Sequence, residues 1–144
     1  MYDERMVTPM RQELTRLGVK EMRTAAEVDS TLKDSKGTTL VVVNSVCGCA
    51  ARNARPAIAE AIRHPAKPDA LTTVFAGQDT EATQRARSYF TGYPPSSPQI
   101  GLLKDGKLVY LLERHQIEGR SSGEIARDLT KAFDRYCVPA SAAV

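Results

Sequence analysis

Cys47 and Cys49, separated by one glycine, are the residues of this chain best suited to chemistry. A thiolate attacks sulfur and also ligates soft metals, so two thiols this close point to thiol–disulfide exchange or to metal binding. The run Leu40-Val41-Val42-Val43-Asn44-Ser45-Val46 before them is rich in β-branched residues, and an Ala-rich, helix-forming segment follows at Ala50. The thiols therefore stand where a strand hands over to a helix N-terminus. Unpaired backbone N–H groups and the helix dipole favour negative charge there. Cys47 is expected to be the exposed nucleophile, and Gly48 to allow close approach and unusual φ. A disulfide across Cys-Gly-Cys closes a smaller ring than Cys-x-x-Cys. It is expected to be strained and easily reduced, which suits an exchanger or isomerase better than a general reductant.

The rival chemistry is a metal site in which Cys47, Cys49, Cys137 and a histidine supply the ligands. It lacks a second pair at finger-like spacing, and Cys137 ends a distant helix. An iron–sulfur cluster usually takes four cysteines, and the chain has three. A module that binds metal or senses thiols without turnover is thus the alternative reading. Cys137 reads as a packing residue whose thiol pKa is raised by its place at a helix C-terminus. Asn44 and Ser45 are placed to hydrogen-bond near the thiols. Arg52 and Asn53 read as a solvated helix face, and His64 carries no assigned role.

The chain's 144 residues fit a single domain, expected over 1–144 with frayed ends at 1–6 and 138–144. A net charge of +3 with scattered arginines gives nucleic-acid binding no special support. No apolar run approaches the length of a membrane span, so no membrane association is expected. Met1-Tyr2-Asp3-Glu4-Arg5 is charged rather than apolar. With three cysteines and no leader-like N-terminus, the expected compartment is the cytoplasm, where a close thiol pair is more often catalytic or metal-binding than a staple.

The elements that must hold the pair follow from caps and periodicity. Thr8-Pro9 reads as a helix start, with Met10, Leu14 and Leu17 on one face and Gly18 as the stop. A short strand is expected over 19–22, then a helix from the capping box Thr24-Ala25-Ala26-Glu27 to about Lys33. Strand 38–44 is continuously apolar, as for a strand buried on both faces. A helix over about 49–63 contains Pro56, expected to kink it. Next come a strand over 71–76, a helix capped by Asp79 or Thr80, and the irregular loop Tyr93-Pro94-Pro95-Ser96-Ser97-Pro98. Asp105-Gly106, the favoured pair for a type I′ turn, joins strands 99–104 and 107–112 into a hairpin. Ser121-Ser122-Gly123-Glu124 opens a last helix that presents Ile125, Leu129, Ala132, Phe133 and Tyr136 to the core. Strands joined through helices pair in parallel, and the hairpin adds antiparallel ones. The expected fold class is α/β: a central mixed β-sheet of four to five strands, helices on both faces, and an extra N-terminal helix.

That architecture resembles the thioredoxin fold, with a Cys pair after the central strand, a proline in the following helix and a proline before the closing hairpin. The spacing departs from Cys-x-x-Cys, and the stretch Gly37–Ala50 resembles the bacilliredoxins. So do Pro9–Leu14, Ala54–Ala57, Val74–Asp79, Tyr89–Gly92, Pro95–Pro98, Arg114–Gly119 and Ala132–Cys137. The resemblance implies a thioredoxin-like enzyme that removes bacillithiol from protein mixed disulfides, with related disulfide reductase or isomerase activity. It implies Cys47 as attacking thiol and Cys49 as resolving thiol. It also implies a proline facing the pair in cis, Pro98 ahead of Pro94 and Pro95, with the backbone of Ser97 beside it pairing with an extended substrate. Arg114 and His115 would then lie near the thiols, Arg114 to meet the carboxylates of bacillithiol and His115 to influence Cys47. No cofactor is expected; bacillithiol would be a co-substrate, and the partners bacillithiolated clients and a low-molecular-weight thiol.

Overall fold

The computed structural model describes residues 1–138. Its centre is β2, Thr38–Asn44, every residue of which is buried. Period-two alternation sends Leu40 and Val42 to one side of the sheet and Val41 and Val43 to the other. Burying each such side chain contributes about 1.5–3 kcal/mol, so β2 alone secures both halves of the core. Strand β3, Ala70–Phe75, runs parallel to β2, and β1, Lys20–Glu21, parallel to β3. Strands β4, Gln99–Lys104, and β5, Lys107–Leu112, complete the antiparallel side, giving the order β1-β3-β2-β4-β5. The mixed five-stranded sheet matches the expected architecture.

Six α-helices stand among the described residues: α1 (Glu4–Thr15), α2 (Ala25–Leu32), α3 (Arg55–Ala61), α4 (Thr80–Arg87), α5 (Arg114–Ile117) and α6 (Ser122–Tyr136). One face of the sheet carries α3 and α6, through Ile58, Leu129 and Phe133; the other carries α2 and α4, through Val28, Leu32, Ala82 and Ala86. Of the expected caps, Thr24 and Ser121 act as such, whereas Thr8 lies inside α1. Thr24 Oγ1 accepts the Glu27 N–H, and Ser121 with Glu124 forms a reciprocal box. Gly101 in β4 lies under the Phe90 ring, which an added Cβ would meet at 2.5 Å. Among the described residues, no helix is long and apolar enough to cross a membrane.

Several boundaries differ from expectation. Residues 1–6 were expected to fray, yet α1 starts at Glu4 with Asp3 accepting the Arg5 N–H, and the Tyr2 backbone exchanges two hydrogen bonds with Gln78. Pro9 lies inside this helix rather than at its first position, and the buried face is Val7, Arg11 and Leu14. Arg11 is tolerated there because Glu4 at 2.8 Å and Asp79 at 2.6 Å hold its guanidinium over the Phe75 ring. Asp79 is thereby drawn away from the α4 N-terminus, where its side chain makes no capping bond. The helix expected over 49–63 is a π-helical turn, Ala50–Ala54, followed by α3, with Pro56 in the first turn of α3. The backbone stays helical through Ala54 and Arg55, and the Arg55 N–H reaches back to Ala50 O, so the π-helical turn stands directly before the proline that was expected to kink the helix. The frayed tail expected over 138–144 lies, beyond exposed Val138, outside the described residues.

The start of β2 is tied down twice. Gly37 N–H donates to Asp105 Oδ1 while Asp105 N–H donates to Gly37 O, each at 2.8 Å. Thr38 N–H donates to Asp69 Oδ2 at 2.9 Å.

Candidate active site

Where β2 ends, the chain turns through Ser45 and Val46 into Cys47, and the π-helical turn begins at Ala50. The N–H groups of Ala50 and Ala51 donate to Cys47 O at 3.1 and 3.2 Å, which closes this first turn tightly around the thiols. Cys47 and Cys49 are half-buried and free, and Gly48 between them is exposed. Ser45 supplies the main polar contact: its hydroxyl donates to Cys47 Sγ at 3.2 Å, and its Oγ accepts the Cys47 N–H at 3.4 Å.

The two thiols are driven apart in acidity. Burial pushes the Cys47 thiol up, but the Ser45 hydroxyl, the Ala50 amide, and the thiol and amide of Cys49 outweigh it and hold Cys47 below its ordinary value. Cys49 goes the other way. Burial, the hydrogen bond and negative charge of Cys47, and the Glu118 carboxylate raise it, against the opposing charge of Arg114. One thiol is thus the readier nucleophile, and the other keeps its proton and donates it as a hydrogen bond to the first.

The expected partners of the pair meet three different fates. The Ser97–Pro98 bond is cis, as expected for Pro98 rather than Pro94 or Pro95, and Pro98 is buried. Two guanidiniums grip its loop. Arg87 Nη2 donates to Ser96 O at 2.7 Å; Arg114 donates from N–H to Ser96 Oγ and from Nη1 to Ser97 O, each at 3.3 Å. Arg114 stays within electrostatic reach of both thiols, and Glu118, Cys47 and Cys49 together strengthen its hold on its proton. The His115 side chain is 74% exposed, its acidic partner is Glu113 at 4.0 Å, and the largest influences on Cys47 come from elsewhere. The reason is α5, the short helix at Arg114–Ile117, which carries consecutive residues in different directions.

Cys137 is buried and lies at the opposite end of β2; burial, with a smaller push from Asp69, raises its thiol against the opposing influence of the Thr38 hydroxyl. Among the described residues, no three His, Cys, Asp or Glu side chains gather into a group that could hold a metal ion. Asn53, expected on a solvated face, is half-buried and donates to the Arg120 carbonyl. His64 pairs with Asp134 at 2.7 Å. Arg55 and Glu118 were not anticipated. Arg55 shares the buried face of α3 with Ile58, one turn on, and that spacing was the available signal.

The comparisons with known proteins agree with this geometry. A family described as Disulphide isomerase matches residues 2–137. A bacilliredoxin from Koribacter versatilis is 58% identical over 137 residues, covering 95% of this chain and 94% of its own. The chain belongs to the bacilliredoxin family. A bacilliredoxin from Bacillus licheniformis is 53% identical over 137 residues, covering 94% of this chain and 95% of its own. The thioredoxin-like domain of the Arabidopsis protein NCP superposes with a TM-score of 0.57 at 19% identity, covering 88% of this chain and 84% of that one, so the bacilliredoxin fold seen here is thioredoxin-like. The chain is accordingly a thiol–disulfide oxidoreductase, and it carries the Cys47-Gly48-Cys49 pair.

Proposed function

We propose that the protein removes bacillithiol from protein mixed disulfides in the cytoplasm. The observation that carries this reading is the split acidity of the pair, with Cys47 favoured as thiolate and Cys49 held protonated beside it. In the first step, Cys47 Sγ⁻ attacks the bacillithiol sulfur of the mixed disulfide. The client–bacillithiol S–S bond breaks, a Cys47–bacillithiol S–S bond forms, and the client leaves as thiolate and takes a proton. In the second step, Cys49 attacks Cys47 Sγ, a Cys47–Cys49 S–S bond forms and bacillithiol leaves as thiolate and takes a proton; or a further low-molecular-weight thiol attacks the bacillithiol sulfur, a mixed disulfide of that thiol with bacillithiol forms and Cys47 leaves as thiolate. Bacillithiol is a co-substrate here, and no cofactor takes part.

The surroundings suit a protein client. Gly48 is exposed and both thiols are half-buried. In this reading Ser97 and Pro98 support an extended client segment and exposed Gly48 lets its backbone approach. Arg114 meets a carboxylate of bacillithiol, while exposed His115 takes a place on the rim.

Incubation of the reduced protein with a bacillithiolated client, followed by intact mass, tests the assignment. Cys49→Ala is expected to accumulate one bacillithiol on Cys47, and Cys47→Ala none. An adduct that forms equally well without Cys47 overturns the proposal, and so does stoichiometric zinc held by both thiols in reductively purified protein.

A further inference from the structure

Arg55 has no part in the exchange chemistry, yet it is among the most deeply buried charged side chains of the molecule, at 3% exposure. A buried guanidinium is costly unless fully paired. Here it is not fully paired: Arg55 Nε has no hydrogen-bond partner, and its carboxylate is a single half-exposed Glu13 on α1, 3.2 Å from Nη2. The remaining contacts all converge on the two residues that lead into Cys47. Arg55 Nη1 donates to Asn44 Oδ1 and to Ser45 O, each at 2.9 Å. Asn44 Oδ1 also accepts the Ser45 N–H at 2.9 Å, and Asn44 Nδ2 donates back to Met10 O on α1 at 3.3 Å. Ser45 is therefore fixed at its N–H and its carbonyl, and its one free polar group, the hydroxyl, is the group that contacts Cys47 Sγ.

We infer that Arg55 is a positioning residue for the nucleophile: anchored by Glu13 of α1, it clamps Asn44 and Ser45 so that the Ser45 hydroxyl is aimed at Cys47. A flexible Ser45 would spend part of its time bonded to water or to its own backbone, as serine does readily outside regular structure. The clamp removes that freedom before substrate arrives, so the hydrogen bond to the thiolate carries no ordering cost at reaction. Other charges also face the pair. Arg114 opens α5 and Glu118 directly follows it, and Arg52, on the π-helical turn, has a guanidinium that would lie 3.7 Å from a Cβ at Gly48. None of these contacts Ser45, so the route from Arg55 is separable from them.

This inference rests on Cys47 being the attacking thiol, and the experiment separates the two. The reduced protein is alkylated with iodoacetamide across a pH series, and the modified cysteine is identified by peptide mass. Arg55→Gln is expected to move the Cys47 midpoint up by about one pH unit, roughly tenfold less thiolate at neutral pH. Arg55→Lys keeps the charge but cannot reach both acceptors with a rigid fork, and is expected to recover part of that shift. In the Ser45→Ala background, Arg55→Gln is expected to add nothing, because the two changes break one chain of contacts. Circular dichroism verifies that each variant is folded; if Arg55→Gln does not fold, Arg55→Lys carries the decision, read alone and in the Ser45→Ala background. An unmoved midpoint, or shifts that add in full, overturns the inference. If Cys49 is alkylated before Cys47 in the unsubstituted protein, the reading of the nucleophile fails instead.

Discussion

The two ends of β2 carry the same functional group in opposite conditions. At its C-terminal end Cys47 is half-exposed, and a hydroxyl and two backbone N–H groups hold its acidity up against burial. At its N-terminal end Cys137 is buried, and burial with the nearby Asp69 carboxylate raises its thiol. One strand thus separates a reactive sulfur from an inert one. The difference lies in the balance of burial against donors: at Cys47 the Ser45 hydroxyl, the Cys49 thiol and the Ala50 and Cys49 N–H groups outweigh burial, whereas at Cys137 burial outweighs the Thr38 hydroxyl.

The largest expected effect comes from erasing each thiol in turn. Cys47→Ser should lower disulfide exchange to the background rate in an assay with a mixed-disulfide substrate, while Cys137→Ser leaves it unchanged. Exchange that survives the first change, or falls with the second, breaks the contrast.

A second, smaller effect sharpens it. Thiolate is the attacking form, so a depressed Cys47 value means that its alkylation climbs at lower pH than that of an ordinary thiol and is lost as pH falls through that midpoint. Cys49 and Cys137 should both follow only at higher pH. Ser45→Ala removes the hydroxyl and should raise the Cys47 midpoint by about one pH unit, since hydrogen bonds to charged groups are worth about 1.5–3 kcal/mol. A profile for Cys47 that is the same with and without the hydroxyl would show that the helix start alone sets its acidity.

The smallest effect is on stability, and there the order reverses. Cys137→Ser places a more polar group in a packed site and should cost about 1–3 kcal/mol in denaturant unfolding. Cys47→Ser, near the surface, should stay within about 0.5 kcal/mol.

Much of the fold was legible because local signals and global packing agreed. The unbroken apolar run of β2, the capping pairs Thr24/Glu27 and Ser121/Glu124, and the Asp105-Gly106 turn each had one physical solution, and the chain adopts it. Where two signals competed, the reading failed. Thr8-Pro9 looks like a helix start, but Asp3 caps one turn earlier, and the Tyr2–Gln78 bonds hold that segment in place. Helix α5 is too short for any periodicity to reveal, so the exposure of His115 could not be foreseen. The thiol pair was legible from residue type alone. Its support was only half so: Ser45 was suspected by adjacency and Arg55 lies ten residues on, whereas Glu13 reaches Arg55 from α1, and no local pattern announces that meeting.

The reciprocal bonds between Asp105 and Gly37 bear on how the protein can be engineered. A hairpin tip of two residues is ordinarily the place to insert a tag or a reporter, because little else depends on it. Here the tip is also the clasp that fastens the start of the strand that ends at the thiols. An insertion between Asp105 and Gly106 would loosen the far end of that strand, and the most inviting splice site in the chain is one to leave alone.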